Sequence, residues 1–172
     1  IGGAVRMNTG CYGDDISKIL HSIMAIDIRG KPKEILAKDI KFSYRGTNIE
    51  ENLIITSVKL TGKYCMKKKI EDKQKTMVER KKNSQPSQIK TCGSTFKNPK
   101  NKKAWELIKE SNCENFKVGS ARISEKHCNF FVNNGNATSK DLEKLINKVK
   151  HAVYKKTKIN LKLEIKIIGY DK

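Results

Sequence analysis

The sequence predicts an α+β fold, and three observations lead to it. The first half carries short apolar segments typical of strands, followed by a Lys-rich helical segment at 63–83. Polar and turn-forming residues at 83–87 interrupt this helix. The second half combines short strands with one long amphipathic helix at 138–156. We therefore predict two domains, 1–83 and 84–172.

The first half is predicted to be rich in β-structure. Its strongest strand lies at 52–60, where β-branched and apolar residues precede the terminating Gly62. A strand ending near Ile28 and a short strand at 33–36 are also predicted. Elsewhere in this half we expect irregular structure: a glycine-rich loop at 1–13 and a loop or short turn at 42–48.

The second half is predicted to be a mixed helix and strand unit. Apolar residues of 138–156 recur every three or four positions, as on one face of a helix, and Thr138 with Asp141 approximates a capping box. Apolar and charged residues alternate over 161–167, which predicts a half-buried strand with Glu164 on its charged face. The remaining assignments are a loop at 92–99, a helix at 104–111, and short strands at 118–123 and 129–133.

The chain carries a net charge of +19 over 172 residues. Such an excess raises nucleic acid as a partner. However, 32 of the 37 basic residues are Lys and only 5 are Arg, the residue that dominates the readout of bases and phosphates. We therefore interpret the Lys run at 63–83 as a solvated helix face and expect no nucleic-acid partner. The alternative is a protein that binds nucleic acid through a contiguous Lys face.

The sequence does not indicate membrane or metal chemistry. No apolar run approaches the roughly 20 residues of a membrane span, and no basic-then-apolar start marks a signal peptide. The five Cys lack Cys-x-x-Cys spacing and the three His add no ligand pattern, so we expect no metal site and reduced thiols in a cytoplasmic protein. The neighbours His127 and Cys128 leave a catalytic Cys–His dyad as an alternative.

The first residue of the chain is Ile1, and a glycine-rich turn follows it at once. Such a turn usually follows a strand. We therefore expect a fragment of a longer protein or a trimmed product.

Four places carry residues suited to chemistry. The small residues of the opening segment allow a backbone to approach a phosphate closely. Ser94 follows Gly93 in a predicted loop, where its hydroxyl could donate a proton, act as a nucleophile or cap a turn. Glu164 lies between two Lys, where it could act in catalysis or belong to an exposed ionic ladder. Arg45, one of five Arg, follows Tyr44 in a predicted turn.

Several segments match the motifs of one enzyme family, in the same order. They are Ile-Gly-Gly-Ala at the start of 1–13, Tyr44-Arg45, Gly-Ser-Thr-Phe-Lys-Asn-Pro at 93–99, the segments at 118–119, 124–127 and 130–133, and Leu-Glu-Ile-Lys-Ile-Ile-Gly at 163–169. Together these segments resemble the UDP-N-acetylenolpyruvoylglucosamine reductases, which act in the synthesis of peptidoglycan precursors.

The resemblance implies both a fold and a reaction. Residues 1–83 would be part of a PCMH/VAO-like FAD-binding region, and 84–172 a smaller α/β substrate-binding domain. The activity implied is FAD-dependent, NADPH-driven reduction of UDP-N-acetylglucosamine enolpyruvate to UDP-N-acetylmuramate. A cytoplasmic monomer without membrane insertion is expected.

The resemblance also implies roles for individual residues. Ser94 would donate the proton to the substrate, and Arg45 and Glu164 would assist. We expect these three residues to converge on one cleft. Cofactor contacts are implied at Gly2, Gly3, Ala4, Asn8, Gly10 and Gly13, and substrate contacts at Tyr44, Lys97, Asn98 and Lys166.

The chain departs from the family pattern in three ways. Lys166 stands where the family commonly has Arg, which would weaken a bidentate contact, and Thr9 replaces a usual Ala. The short span from Tyr44-Arg45 to Leu53 resembles the subgroup without an inserted tyrosine-bearing loop. The family's N-terminal flavin region does not precede Ile1 in this sequence. We therefore expect weak FAD affinity of this chain alone, and an inactive remnant of such a reductase is the alternative function.

Overall fold

The computed structural model describes residues 1–169, and their contacts divide the chain into two units. The first unit is Ile1–Met66, and the second begins at Lys67. The Lys-rich helix therefore groups with the second unit, although we had placed it in the first domain. One contact at its end is the ammonium of Lys126, which donates a hydrogen bond to the carbonyl of Lys82 at 2.6 Å. The mixture of helices and antiparallel strands confirms the α+β class.

The elements of the first unit, in chain order, are α1 (Gly2–Arg6), β1 (Gly10–Cys11), β2 (Asp14–Asp15), β3 (Leu20–Ile26), β4 (Pro32–Leu36), β5 (Phe42–Ser43), β6 (Gly46–Thr47) and β7 (Ile54–Leu60). Two single 3-10 turns lie at Ile16–Lys18 and Ala37–Asp39. Strand β3 lies between β4 and β7 in an antiparallel sheet, while β1 pairs with β2 and β5 with β6. The strands predicted around Ile28, at 33–36 and at 52–60 are present.

Helix α1 replaces the loop predicted at the start of the chain. Val5 of this helix has no exposed surface and packs in one core with Ile23 and Ala25 of β3. Burying Val5 stabilises the unit by about 1.5–3 kcal/mol. That gain offsets the cost of ordering the two glycines of the helix, about 0.5–1 kcal/mol each.

The elements of the second unit are α2 (Lys67–Ser84), β8 (Lys90–Ser94), α3 (Ala104–Glu110), β9 (Lys117–Val118), β10 (Ala121–Ile123), β11 (Phe130–Asn133) and α4 (Ser139–Thr157). Four strands form an antiparallel sheet in the order β8-β11-β10-β9. Helices α3 and α4 contribute Leu107, Ile108, Leu145 and Val149 to the core of this unit, and each has no exposed surface.

Helix α4 confirms the clearest helix of the prediction. The hydroxyl of Thr138 accepts a hydrogen bond from the N–H of Asp141 at 3.1 Å, and the Asp141 carboxylate accepts one from the N–H of Thr138 at 3.0 Å. This reciprocal capping box satisfies two donors at the helix start and lowers the pKa of the Asp141 carboxyl.

Helix α2 is solvated, as its Lys-rich composition predicts. None of its residues is buried. Among its side-chain contacts is an ion pair of Lys67 with Glu71, one turn later, at 3.8 Å. No helix within residues 1–169 combines the length and the apolar character that crossing a membrane requires.

The strand predicted at 161–167 is wrong. Among the described residues of this segment, only Leu163 forms a β-bridge, and its partner is Phe96. Antiparallel pairing from this bridge would place 165–167 opposite 92–94, where Gly93 has a φ of +82° and leaves the extended conformation that a regular ladder requires. Beyond the bridge the segment becomes exposed, and Ile168 is 91% accessible to solvent.

Candidate active site

The Gly93-Ser94 motif lies at a β-bulge, where we had predicted a loop. Thr91 pairs with Val132 and Ser94 with Phe130, so two residues of β8 oppose a single residue of β11. Gly93 has a φ of +82°, in the left-handed region that residues with a Cβ rarely adopt. Bulges of this kind bend a strand and redirect the next side chain. The glycine is therefore required for the course of the chain into Ser94.

One edge of the segment after Ser94 is held by Asn129. The N–H of Thr95 donates to the backbone carbonyl of Asn129 at 2.8 Å. The N–H of Phe96 donates to Asn129 Oδ1 at 2.9 Å, and Asn129 Nδ2 donates to the carbonyl of Phe96 at 2.8 Å. Asn129 is only 3% exposed. The sequence gives no signal for this residue, because a single Asn before a strand belongs to no pattern.

The opposite edge of the same segment is held by the residues after α4. The N–H of Lys97 donates to the carbonyl of Lys162 at 2.8 Å, and the N–H of Glu164 donates to the carbonyl of Thr95 at 2.9 Å. Glu164 is half-buried. The structure therefore brings the backbone of Glu164 directly beside the residue that follows Ser94.

Phe96 anchors this segment in the core. It is 1% exposed and meets the ring of Phe131 edge-on, with the ring centroids 5.8 Å apart and the planes at 83°. The main chain around Ser94 is thus held by hydrogen bonds on two edges and by an aromatic side chain beneath it. Such support gives a side chain a defined position.

The other predicted substrate contacts of this unit differ in their surroundings. Asn98 is exposed, and its Oδ1 accepts the N–H of Ala104 at 3.0 Å, at the start of α3. Lys97 is half-buried and Lys166 is exposed. Asn98 therefore has a structural task in the loop, in addition to any contact with a ligand.

Tyr44 and Arg45 form the tip of a two-residue hairpin in the first unit. Phe42 pairs with Thr47 and Ser43 with Gly46, which leaves the two tip residues between the strands. Arg45 has a φ of +58°, which is uncommon for a residue other than glycine and is found often at functional positions. Its guanidinium carbon lies 5.1 Å from the centroid of the Tyr44 ring. The convergence of Arg45 with Ser94 and Glu164 stays a prediction.

The base of this hairpin is tied to the segment after α1. Asn8 Nδ2 donates to the carbonyl of Ser43 at 3.2 Å, and Asn8 Oδ1 accepts the N–H of Ser17 at 3.3 Å. The hydroxyl of Thr47 donates to the carbonyl of Arg6 at 3.3 Å. Asn8 is buried, and we had assigned it to the cofactor. In the structure both ends of its amide are used inside the protein.

The glycines predicted to approach a flavin phosphate fall into two groups. A Cβ added at Gly10 would lie 2.5 Å from the carbonyl of Asp14, so Gly10 is required by the close pairing of β1 with β2. A Cβ at Gly3 or Gly13 would meet no atom within 4 Å. Open space of this kind fits a close approach by a phosphate, and Gly13 also has a φ of +85°.

Gly2 and Ala4 of helix α1 have neighbours in the protein. A Cβ at Gly2 would lie 3.3 Å from Cβ of Ile55, and Ala4 is packed against the core. The FAD-binding assignment therefore fits the structure best at Gly3 and Gly13. At Gly2, Ala4, Gly10 and Asn8, contacts within the protein already explain the type of residue, without a cofactor.

His127 and Cys128 do not have the properties of a catalytic dyad. Burial lowers the pKa of His127 and raises the pKa of the Cys128 thiol. A thiolate–imidazolium pair requires the opposite shifts. Instead, His127 Nδ1 accepts the N–H of Asn129 at 3.2 Å. The part of the chain that the structure describes also contains no cluster of three or more His, Cys, Asp or Glu suited to a metal ion.

Comparisons with known proteins point to one family. Residues 85–168 match the family model described as UDP-N-acetylenolpyruvoylglucosamine reductase, C-terminal domain. The chain is 43% identical over 170 residues to the UDP-N-acetylenolpyruvoylglucosamine reductase of Wolbachia pipientis wMel, and 44% identical over 171 residues to that of Pelagibacter ubique (strain HTCC1062). The alignments cover 98% of this chain in both cases, but 58% and 57% of the relatives.

A solved structure supports the same relationship. The crystal structure of UDP-N-acetylenolpyruvylglucosamine reductase from Thermus caldophilus matches with a TM-score of 0.84 at 32% sequence identity, over 96% of this chain and 59% of that one. The chain thus spans just under three fifths of the proteins that it matches. The family model thus assigns residues 85–168 to the C-terminal domain of the UDP-N-acetylenolpyruvoylglucosamine reductases, and the chain as given is similar to these reductases in sequence and in fold.

Proposed function

We propose that this chain acts in the FAD-dependent, NADPH-driven reduction of UDP-N-acetylglucosamine enolpyruvate to UDP-N-acetylmuramate, in the cytoplasm. Similarity to these reductases supports the reaction class. The observation that carries the proposal is the placement of Ser94, which follows a glycine bulge and precedes a segment held on both edges. A residue that must deliver a proton to one carbon atom needs this kind of placement.

The reaction adds a hydride to the terminal carbon of the enolpyruvyl double bond and a proton to the adjacent carbon. The double bond becomes a single bond, and NADPH is oxidised to NADP⁺. When bound, the flavin supplies the hydride that NADPH provides. The residues of the chain hold the substrate, stabilise the charge that develops on it and deliver the proton.

Ser94 is the proposed proton donor. A hydroxyl is a weak acid, so it acts as a donor only when it is placed close to the carbon and has polar neighbours. Gly93 supports this placement through the bulge, and Glu164 supplies a carboxylate in the neighbouring segment. In the proposal Glu164 orients the donor or the developing intermediate.

Arg45 is the proposed cation for the substrate carboxylate. Addition of hydride pushes negative charge toward this carboxylate, and a positioned cation stabilises charge where it develops. The stacking of the guanidinium over Tyr44 limits its motion. Lys97, Lys166 and Asn98 are proposed to bind the anionic UDP-sugar.

Among the proposed flavin contacts, the structure favours two of the six residues over the others. Gly3 and Gly13 would approach the cofactor phosphates, since space is open beside both residues. Gly2, Ala4, Asn8 and Gly10 would shape the segment that carries them. We expect the purified chain to need added FAD, and stoichiometric flavin after purification would contradict weak affinity.

The test follows the two half-reactions separately in the FAD-loaded chain. Ser94→Ala should leave flavin reduction by NADPH unchanged and slow flavin reoxidation by the enolpyruvyl substrate by about 10²–10⁴-fold. Ser57→Ala, in an exposed position of β7, is the matched control and should leave both rates unchanged. Equal reoxidation rates in Ser94→Ala and the unsubstituted chain would refute the assignment of Ser94.

The flavin assay and a separate RNA-binding measurement distinguish the alternative functions. A chain that binds FAD but shows no substrate-dependent reoxidation would favour an inactive remnant. Helix α2 presents the Lys residues on which a nucleic-acid function would depend. RNA binding that falls steeply with salt concentration would favour that function.

A further inference from the structure

We propose that Asn129 is a positioning residue for Ser94. The proposal rests on the proposed role of Ser94 as proton donor and adds a residue that acts through it. Asn129 is not among the predicted site residues. It is nevertheless buried, and it forms hydrogen bonds with both residues that follow Ser94.

The side chain of Asn129 extends a β-ladder beyond the end of its strand. The pairing of β11 with β8 reaches Phe130, which lies opposite Ser94. One residue earlier, the backbone carbonyl of Asn129 takes the N–H of Thr95, and its carboxamide takes both the N–H and the carbonyl of Phe96. A carboxamide offers an acceptor and a donor in the geometry of a peptide group. The Asn129 side chain therefore substitutes for the peptide unit that a longer β11 would supply.

Asn129 is itself held in a tight turn. Its N–H donates to His127 Nδ1 at 3.2 Å, and the N–H of Phe130 donates to the carbonyl of His127 at 2.9 Å. The N–H of Ser124 donates to the carbonyl of Phe130 at 2.8 Å. The carboxamide is thus presented from a rigid base, as a positioning role requires.

The consequence for Ser94 follows from the two edges of the segment. On the other edge, the bonds to Lys162 and Glu164 come from a stretch with a single β-bridge. Without the carboxamide, the N–H and carbonyl of Phe96 lose buried partners, and the segment is free to shift away from β11. Because Ser94 directly precedes this segment, a shift of about 1 Å would displace its hydroxyl from the substrate carbon.

The first experiment measures flavin reoxidation by the enolpyruvyl substrate in the FAD-loaded chain. Asn129→Leu removes both hydrogen bonds of the amide with little change in shape, and should slow reoxidation by about 10–100-fold. Flavin reduction by NADPH should not change. Asn147→Leu, at an exposed position of α4, is the matched control and should leave both rates unchanged. A reoxidation rate in Asn129→Leu equal to that of the unsubstituted chain would overturn the positioning role.

A double substitution separates positioning from general structural damage. In the Ser94→Ala background, Asn129→Leu should add less than about a twofold loss, because the group through which it acts is already absent. If the reoxidation rate of the double variant instead falls by the product of the two single losses, Asn129 has a merely structural role and the proposal is overturned. If Ser94→Ala alone has no effect, the proposed function fails. If Ser94→Ala is impaired and Asn129→Leu is not, only the positioning role fails.

A second measurement does not depend on flavin or turnover. Amide hydrogen exchange of the whole chain should show at least about tenfold faster exchange at Phe96 in Asn129→Leu, with no change at Val149 in the core of α4. Unchanged protection at Phe96 would overturn the proposal. An equal loss of protection at Phe96 and Val149 would also overturn it, because that result would reveal global destabilisation.

Discussion

Two of the three predicted catalytic residues, Ser94 and Arg45, are supported in contrasting ways. Ser94 lies next to a segment with hydrogen bonds on both edges and Phe96 buried beneath it. Arg45 lies at the tip of a hairpin whose strands are two residues long, and its guanidinium lies over the ring of Tyr44, which is 54% exposed. The first arrangement relies on the core of its unit, and the second on a few side-chain bonds at the base of the hairpin.

This contrast agrees with the chemistry proposed for each residue. Proton delivery to a carbon depends on distance and direction at the scale of an ångström. A cation that stabilises a carboxylate acts over several ångströms and tolerates small movements. The more rigid support therefore belongs to the residue with the stricter geometric demand.

The largest effect should come from removing the aromatic anchor beneath Ser94. Phe96→Ala deletes a fully buried side chain, and we expect a loss of about 3–5 kcal/mol in the free energy of unfolding of the second unit. Urea unfolding followed by the fluorescence of Trp105, the only Trp of the chain, would measure it. Tyr44→Ala, at the exposed hairpin tip, should change stability by no more than about 0.5 kcal/mol. Similar losses in the two variants would break the comparison.

A smaller effect is expected at the base of the Arg45 hairpin. Asn8→Ala removes hydrogen bonds to Ser43 and Ser17 and leaves a residue with a Cβ at a φ of +41°, so we expect a loss of about 1–3 kcal/mol in the first unit. Thermal unfolding and amide exchange within residues 1–66 would measure it. The neighbouring exposed Thr9→Ala is the control. Weakened FAD binding without loss of stability would instead assign Asn8 to the cofactor.

Replacing the glycine in the bulge before Ser94 should lower the free energy of unfolding by about 1–2 kcal/mol. Gly93→Ala meets no neighbouring atom within 4 Å, so the cost comes from a left-handed backbone conformation alone. Gly62→Ala also meets no atom within 4 Å and has no such backbone conformation, and it should be nearly neutral. Urea unfolding of both variants tests this difference. Equal stabilities would show that the bulge imposes no strain.

The smallest effect concerns pH. Burial lowers the pKa of His127 below its ordinary 6.5, and the neutral ring accepts the N–H of Asn129. Folding therefore favours the unprotonated ring: this contribution to stability is complete above about pH 6.5 and is lost as the pH falls toward the lowered pKa. His127→Asn keeps an acceptor but cannot titrate, so its stability should decline less between about pH 7 and pH 5. Parallel stability curves for the two proteins would contradict this, and the exposed His151→Asn serves as the control.

Features that depend on neighbours in sequence were predictable. The apolar spacing of 138–156 and the pair Thr138 and Asp141 define helix α4, because a helix and its cap are set within one or two turns. The apolar stretch at 52–60 likewise indicated β7. Segments that match the reductase motifs supplied the resemblance to the family and the candidate residues.

Features that depend on distant partners were not predictable. Helix α1 forms because Val5 reaches the core under β3, and the alternating pattern at 161–167 yields one bridge, in which Leu163 pairs with Phe96. Neither partner can be identified from the local pattern. Propensity and periodicity are overridden in both places by tertiary packing.

The sequence by itself therefore determined the resemblance to the reductases, the class of fold and the longest amphipathic helix, and it supplied the candidate catalytic residues. Only the tertiary structure decided how Ser94 is supported. Asn129 is 33 positions from Phe96, and Glu164 is still farther from Thr95. A buried carboxamide can replace a peptide group only where folding brings the end of one strand beside backbone groups of another segment that lack a partner in a ladder. No local sequence pattern predicts which two segments will lie side by side.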